Sequence, residues 1–150
     1  MFATTMHGAG DVRYEEVADP KILAPTDAII QLAVSSICGS DLWPYRGYGE
    51  FDGPKAMGHE YCGVVVEIGS DVKTVKKGQF VVGSFCLSDN TCPHCQYGFQ
   101  FLPELLELAL ARKIQSGKVF DLVLPLAEVA EGYAAMDQRK AIKTLLTLHD

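Results

Sequence analysis

The chain has 150 residues, a formal net charge of −6 and 48% hydrophobic residues, which is the size and composition of one folded domain rather than of a disordered chain. The acidic balance argues against a nucleic-acid partner or an anionic membrane surface. Its longest apolar runs, such as residues 108–111, are far shorter than the roughly 20 residues of a membrane span. Residues 1–5 lack the pattern of a secretory signal, so we expect a cytoplasmic protein.

The first hundred residues have the pattern of β structure. Side chains alternate in character at residues 12–16 and 28–35, residues 61–68 are rich in β-branched side chains, and residues 79–85 form another short apolar run. Glycine and proline turns separate these segments, and residues 45–58 read as an irregular, glycine-rich loop. Several short strands with such turns predict a closed or partly closed β-barrel.

The composition changes after Gln100. Pro103 suits the first position of a helix, apolar residues then follow at helical spacing, and Gly117 is placed to end that helix. Residues 119–124 predict a short strand, and residues 142–148 a final alternating one. Between them a second helix has one apolar face, formed by Leu126, Val129, Ala130, Tyr133 and Met136. We therefore predict one α+β domain, mainly β with a few helices, that ends in a helix-strand-helix-strand segment.

Possible zinc ligands stand at the ends of two predicted strands. Cys38 follows the strongest strand, and His59 and Glu60 open the next one. A thiolate, an imidazole and a carboxylate are the ligand types of a catalytic zinc, which leaves one position for water or substrate. Asp41 could hold the free ring nitrogen of His59 and fix its tautomer. The alternative is that these are ordinary core or surface residues.

These segments also contain sequence motifs that are typical of a known protein family. The sequences Cys38-Gly39-Ser40-Asp41, Gly58-His59-Glu60 and Lys77-Gly78-Gln79-Phe80 occur in this order. On these motifs the chain resembles the zinc-dependent alcohol dehydrogenases of the medium-chain dehydrogenase/reductase family over nearly all of residues 1–100. Residues 101–150 resemble the C-terminal segment of that family. The resemblance implies one catalytic domain over residues 1–150, built on a barrel similar to that of the GroES co-chaperonin.

The resemblance also implies roles for the site residues. Cys38 and His59 match ligands of the catalytic zinc, and Glu60 matches the carboxylate that binds the metal directly or from close by. Ser40 matches the hydroxyl that takes the proton from the substrate alcohol, and Asp41 matches the partner of the zinc-binding histidine. We therefore expect zinc as a cofactor and a small alcohol or carbonyl compound as the substrate.

Two features depart from the family pattern at this site. Trp43 stands where many members have a proton-relay histidine, so the relay ends at water or another group, or is absent. The third strong ligand of the catalytic zinc, which the family takes from just beyond its structural zinc lobe, is missing together with the stretch that would carry it.

A second cysteine cluster resembles that structural zinc lobe. Cys92 and Cys95 supply two ligands, Asp89 stands at the position of the first cysteine, and a proline falls where the fourth ligand is expected. A closed structural site needs four ligands, whereas this cluster offers two thiolates with Asp89, or with Cys86 or His94 as stand-ins. The alternative is a cysteine pair without metal.

The dinucleotide-binding domain of the family is missing from its usual place. In relatives it lies between the barrel and the C-terminal segment, whereas here Gln100 runs directly into Phe101. The glycine pairs at residues 8–10 and 47–49 lack the third glycine and the β-α-β context of a pyrophosphate-binding turn. We therefore expect no Rossmann domain and no cofactor-binding residues, with NAD(P) implied by ancestry only. Residues 1–100 and 101–150 would then be two segments of the same catalytic domain.

Three functions are compatible with this pattern. The first is an alcohol dehydrogenase reduced to its catalytic domain, with weak or absent NAD(P)-dependent turnover. The second is a zinc-binding minimal β-barrel scaffold or structural module without dehydrogenase activity, and the third is a co-chaperonin-like interaction module. Two phenylalanines and a leucine within residues 99–102 also predict a homo-oligomer, because apolar surface once covered by the missing domain would favour association.

Overall fold

A computed structural model describes residues 1–83, 85, 93, 97 and 102–148 of the chain. The chain divides into two compact units, Met1–Gly83 with Phe120–Asp150, and Ser84–Val119. Among the described residues no helix is long and apolar enough to span a membrane. The prediction of a single domain over residues 1–150 stays a prediction.

The first unit contains eight strands and two α-helices among its described residues. The strands are β1 (Phe2–Gly8), β2 (Asp11–Glu16), β3 (Ala28–Ser36), β4 (Lys55–Ala56), β5 (Glu60–Ile68), β6 (Phe80–Val82), β7 (Leu122–Pro125) and β8 (Thr144–Thr147). The helices are α1 (Leu42–Tyr45) and α3 (Val129–Asp137), and 3₁₀ turns precede them at Gly39–Asp41 and Leu126–Glu128. This composition confirms the predicted α+β class.

The described strands form two sheets. One has the order β2-β1-β4, and the other has the order β6-β5-β3-β8-β7. All strand pairs are antiparallel except β7 and β8, which are parallel and are connected through α3. The C-terminal segment therefore adds two strands to the sheet that the first hundred residues began.

The core of this unit surrounds one face of α3. Val129, Tyr133 and Met136 of that helix are buried, as predicted, and Gly132 is buried beside them. Ala130, which the helical pattern placed on the same face, is exposed, so that assignment was wrong. The helix packs with apolar residues of both sheets, of the loop after β3, of α1 and of the segment before β8: Met6, Val12, Ile37, Leu42, Leu124, Ala141 and Leu146.

The second unit contains helix α2 (Leu102–Leu110) and a 3₁₀ turn at Ser116–Val119. Pro103 lies in the first turn of α2, as predicted. The helix ends at Leu110 rather than near Gly117, because the chain turns at Arg112, which has a positive φ of 55°. Gly117 lies in the later 3₁₀ turn, so its predicted role in ending the helix was wrong.

Candidate functional site

The three candidate metal ligands meet where β3 ends and β5 begins. Ser36, the last residue of β3, pairs with Glu60, the first residue of β5, so Cys38 and His59 extend from adjacent strand ends. All three side chains are half-buried, and one donor atom of each lies within 4.8 Å of the other two. Donors sharing one zinc ion lie within about 4.6 Å of each other, because each bond is about 2.0–2.3 Å long. The donor atoms therefore stand close to the spacing that a shared ion requires.

The hydroxyl of Ser40 lies against two of these donors. Its Oγ is 3.2 Å from the Sγ of Cys38, to which it donates a hydrogen bond, and 3.3 Å from the Nε2 of His59. Ser40 sits in the 3₁₀ turn that directly follows Cys38 and is exposed to solvent. A molecule that enters from solvent can therefore reach both the hydroxyl and the donor atoms.

Asp41 contacts the same two candidate ligands, Cys38 and His59. Its side chain is 4% exposed, its Oδ2 accepts a hydrogen bond from the backbone N–H of Cys38 at 3.0 Å, and its Oδ1 lies 3.4 Å from the Nδ1 of His59. Burial raises the pKa of Asp41, although the Cys38 N–H and the charge of His59 act in the opposite direction. With Nδ1 facing Asp41, the Nε2 of His59 is directed toward Ser40.

Glu60 is held by two further groups. The hydroxyl of Ser36 donates to its Oε2, and the ammonium group of Lys143 donates to the same oxygen at 2.5 Å. Burial alone would raise the pKa of Glu60, but hydrogen bonds from Lys143, Ser36 and Cys38 bring that pKa below its ordinary value. Glu60 is therefore a carboxylate at neutral pH and a potential metal ligand.

Lys143 is a residue of this site that the sequence did not reveal. Its position among Arg139 and Lys140 suggested a solvated edge, but its side chain is only 20% exposed and forms an ion pair with Glu60. The carboxylate of Asp121 accepts hydrogen bonds from the backbone N–H of Ile142 and of Lys143 and so fixes the segment before β8. Lys143 is therefore part of this site rather than a solvated surface residue.

The donor set fits zinc better than other common ions. Sulfur, imidazole nitrogen and carboxylate oxygen together are typical of zinc, whereas magnesium and calcium prefer oxygen alone. Three protein donors with an adjacent solvent-accessible hydroxyl resemble a catalytic site, which keeps one position open, more than a closed structural site. The assignment of Cys38, His59 and Glu60 as zinc ligands stays a prediction that this geometry supports.

Trp43, at the position of the family's relay histidine, is a surface residue. Its side chain is 66% exposed and meets the ring of Tyr48 edge-on, with ring centroids 6.2 Å apart. An indole has no acceptor nitrogen and cannot pass a proton as an imidazole does. Residue 43 therefore cannot serve as a relay histidine in this chain.

The predicted structural zinc lobe cannot be placed in the same way. Asp89, Cys92 and Cys95 lie outside the described residues, as do Cys86 and His94. The lobe assignment therefore stays a prediction.

The β-α-β connection in the described part of the chain lacks the glycine-rich turn of a dinucleotide-binding site. Their one parallel strand pair is β7 and β8, and the turn from β7 into α3 is residues 125–128, Pro-Leu-Ala-Glu. A pyrophosphate-binding turn needs glycines so that backbone N–H groups can approach the phosphates closely. In this part of the chain the β-α-β connection lacks that feature.

Comparison with known proteins agrees with these observations. The model of the alcohol dehydrogenase GroES-like domain matches residues 24–117. A zinc-type alcohol dehydrogenase B from Aspergillus flavus is 39% identical over 99 residues, which cover 66% of this chain and 23% of the relative. A probable zinc-binding alcohol dehydrogenase from Mycobacterium tuberculosis is 38% identical over 96 residues, which cover 64% of this chain and 25% of the relative. The matched segments thus span about a quarter of these relatives.

Solved structures show the same fold. An alcohol dehydrogenase from Thermus sp. ATN1 superposes with a TM-score of 0.89 over 98% of this chain and 99% of that chain, and its 14% sequence identity supports a likeness of fold alone. A zinc-dependent alcohol dehydrogenase 2 from Streptococcus pneumonia has a TM-score of 0.58 and 33% identity, covering 65% of this chain and 28% of that one.

Proposed function

Because this chain belongs to the family of alcohol dehydrogenase GroES-like domains, we propose that it is a zinc-binding catalytic domain of the alcohol dehydrogenase type. Its substrate would be a small alcohol or carbonyl compound. The observation that carries the proposal is the convergence of the Cys38, His59 and Glu60 donor atoms, with the Ser40 hydroxyl against two of them.

Each residue of the site has a distinct task in this proposal. Cys38, His59 and Glu60 hold the zinc, and Asp41 orients two of them through its contacts with the Cys38 N–H and the His59 ring. When bound, zinc supplies Lewis-acid polarisation of a substrate oxygen. Ser40 is exposed and placed to exchange a proton with the hydroxyl of a substrate that reaches the donors.

Turnover with a nicotinamide cofactor is proposed to be weak or absent in this chain alone. Oxidation of an alcohol requires a hydride acceptor, and a nicotinamide must be held with its reactive carbon against the substrate. The connection between β7 and α3 has no glycine to receive the pyrophosphate. We propose that residues 1–100 and 101–150 are two segments of one catalytic domain, joined where relatives carry the nucleotide-binding domain.

The lack of a glycine-rich turn between β7 and α3 also supports a second candidate function. The chain would then be a zinc-binding scaffold without dehydrogenase activity, in which the same three donors hold the ion. Both candidates require zinc, so metal content tests them together, whereas turnover separates them.

Metal content tests the zinc proposal. The metal-free protein is titrated with zinc, and the number of equivalents bound is compared between the wild type, Cys38→Ala and Cys62→Ala. Cys62 is the matched control, because it is a half-buried cysteine of β5 outside the donor cluster. We expect Cys38→Ala to lose one equivalent and Cys62→Ala to lose none. Equal binding by all three proteins, or no zinc in the wild type, would reject the site.

Kinetics then separate the two candidates. The zinc-loaded chain is assayed with NADH and with NADPH over a panel of aldehydes and ketones. Slow turnover that disappears in Ser40→Ala would support a residual dehydrogenase, and no turnover would support the scaffold. Turnover at ordinary enzyme rates would contradict the proposal that the chain lacks a working cofactor site.

The proposal includes two expectations that concern the whole molecule. We expect the chain to be cytoplasmic and to form a homo-oligomer, because loss of the nucleotide-binding domain would uncover apolar surface. Light scattering over a range of protein concentrations tests the second expectation. A monodisperse monomer at high concentration would contradict it.

A further inference from the structure

One carboxylate of the candidate zinc site is shared with a lysine of the C-terminal segment. The Oε2 of Glu60 lies 2.5 Å from the Nζ of Lys143, and the hydroxyl of Ser36 donates to the same oxygen. The side chains of Lys143 and Glu60 are only 20% and 31% exposed. Water and salt therefore screen this ion pair less than they screen a pair on the open surface.

Lys143 is held in this position by its own backbone. The carboxylate of Asp121 accepts hydrogen bonds from the backbone N–H of Lys143 at 3.1 Å and from that of the preceding residue at 2.9 Å. The next residue, Thr144, accepts a hydrogen bond from the backbone N–H of Ile37 at 3.1 Å, and Ile37 directly precedes Cys38. The ammonium group therefore extends from a backbone that the fold fixes beside the candidate ligands.

A bound metal ion would draw on the same carboxylate. One oxygen of Glu60 lies within 4.8 Å of the donor atoms of Cys38 and His59, and a carboxylate offers about four acceptor positions on its two oxygens. Glu60 can thus contact an ion and Lys143 together, but two positive groups then share one negative charge. Each of them weakens the attraction of the other to Glu60.

The repulsion between the two positive groups sets the size of this effect. One carboxylate and its two contacts place a divalent ion no more than about 7 Å from the Nζ of Lys143. At that distance a divalent and a monovalent cation repel with an energy equivalent to about a tenfold change in affinity, even at the dielectric constant of water. The half-buried surroundings make this effect larger.

We propose that Lys143 is a positioning residue that lowers the affinity of this site for zinc. It holds Glu60 through Oε2, so that the carboxylate is shared between the ammonium group and a zinc ion. The inference rests on the zinc site of the proposed function and adds to it a residue that is not a ligand. Loss of the ammonium group then tightens zinc binding, whereas loss of a ligand or of packing weakens it.

Zinc affinity, measured by competition with a chromophoric chelator, tests the direction of the effect. Lys143→Met removes the charge, and Lys140→Met is the matched control at an exposed neighbour. We expect zinc to bind at least about tenfold more tightly to Lys143→Met than to the wild type, and with unchanged affinity to Lys140→Met. Lys143→Arg keeps the charge and should keep the wild-type affinity. Zinc binding by Lys143→Met that is equal to or weaker than that of the wild type would overturn the proposal.

A double-mutant cycle tests whether Lys143 acts through Glu60. Glu60→Gln removes the shared charge, and the effect of Lys143→Met is then measured in that background. The ammonium group has no carboxylate to hold it near the ion there, so the gain in affinity should be at least about threefold smaller. An equal gain in both backgrounds would show that Lys143 does not act through Glu60 and would overturn the positioning role.

Folding and the location of the bound zinc are checked separately. Circular dichroism of the metal-free variants reports folding, and Lys143→Gln, which has no charge, replaces Lys143→Met with the same expectation if that variant does not fold. Adding Cys38→Ala to Lys143→Met should remove the tightly bound equivalent. Its persistence would show that the ion binds elsewhere and would overturn the proposal.

The same titrations separate this inference from the proposed function. If neither the wild type nor Lys143→Met binds zinc, the zinc site and the role of Lys143 are both overturned. If both bind one equivalent with equal affinity, the zinc site remains and only the role of Lys143 is overturned.

Discussion

Replacing Asp41 by asparagine tests whether a buried carboxylate prepares His59 to bind a metal. Asp41 is 4% exposed, and its two oxygens face the backbone N–H of Cys38 and the Nδ1 of His59. With a carboxylate there, Nδ1 carries the proton and Nε2 keeps the lone pair that a metal needs. An asparagine of the same shape can accept from Cys38 with its oxygen, but it then presents an NH₂ group to Nδ1. The tautomer with the proton on Nε2 becomes favoured, and that tautomer cannot bind a metal through Nε2.

The expected loss of zinc affinity in Asp41→Asn is 10- to 100-fold, which corresponds to about 1.4–2.7 kcal/mol. The metal-free protein should keep its stability. Because burial raises the folded-state pKa of Asp41, the ionised carboxylate is less favourable in the folded than in the unfolded chain at neutral pH, and a neutral amide removes that cost. Asp41→Ala instead leaves the Cys38 N–H without its acceptor and should destabilise the metal-free protein by about 1–3 kcal/mol.

Two measurements on each variant separate these effects. Zinc affinity is measured by competition with a chromophoric chelator, and the stability of the metal-free protein is measured by thermal unfolding. Asp71→Asn, at an exposed carboxylate outside the site, is the control and should change neither quantity. Zinc binding by Asp41→Asn within twofold of the wild type would refute the argument that Asp41 orients His59.

Three other contacts give outcomes that can be measured in the metal-free protein. A Cβ on Gly63 would lie 2.2 Å from a backbone oxygen of β3. Gly63→Ala should therefore lower the free energy of unfolding, measured in urea, by at least about 2 kcal/mol. The control Gly8→Ala adds a Cβ that meets nothing within 4 Å and should be nearly neutral. Lys143→Met removes the ion-pair partner of a half-buried carboxylate and should cost about 1–3 kcal/mol more than Lys140→Met at the exposed neighbour; equal losses would contradict the role of the pair. Two backbone N–H groups before β8 lower the pKa of Asp121, so its contribution is present at neutral pH and lost as the pH falls through that pKa. The difference in melting temperature between wild type and Asp121→Asn should therefore close below about pH 4, and a difference that is constant with pH would refute this.

The sequence predicts those strands in which neighbouring side chains differ clearly in character or are rich in β-branched residues. Side chains alternate in character along residues 28–35, residues 61–68 are rich in β-branched side chains, and the structure has a strand at each, β3 and β5. Strand β1 was not predicted. Its Phe2, Thr4 and Met6 alternate with Ala3 and Thr5, so small and weakly polar residues occupy both faces. The central position of β1 in its sheet therefore depends on pairing with β2 and β4 rather than on its own pattern.

Boundaries and distant contacts were less predictable for a physical reason. A helix ends where its backbone turns, and the positive φ of Arg112 has no sequence signal comparable to a glycine. Lys143 and Glu60 are 83 positions apart, so no local pattern relates them.

The candidate zinc site was predictable because its residues need only one strand pairing to meet. Once β3 and β5 pair in antiparallel fashion with Ser36 opposite Glu60, the segment that leaves β3 and the residue that enters β5 must lie side by side. Cys38 and His59 occupy those two places. The 3₁₀ turn that follows Cys38 then returns Ser40 and Asp41 to the same two side chains. The geometry of the site thus follows from one register, and a change in that register would separate Cys38 from His59 and Glu60 without altering any of the three residues.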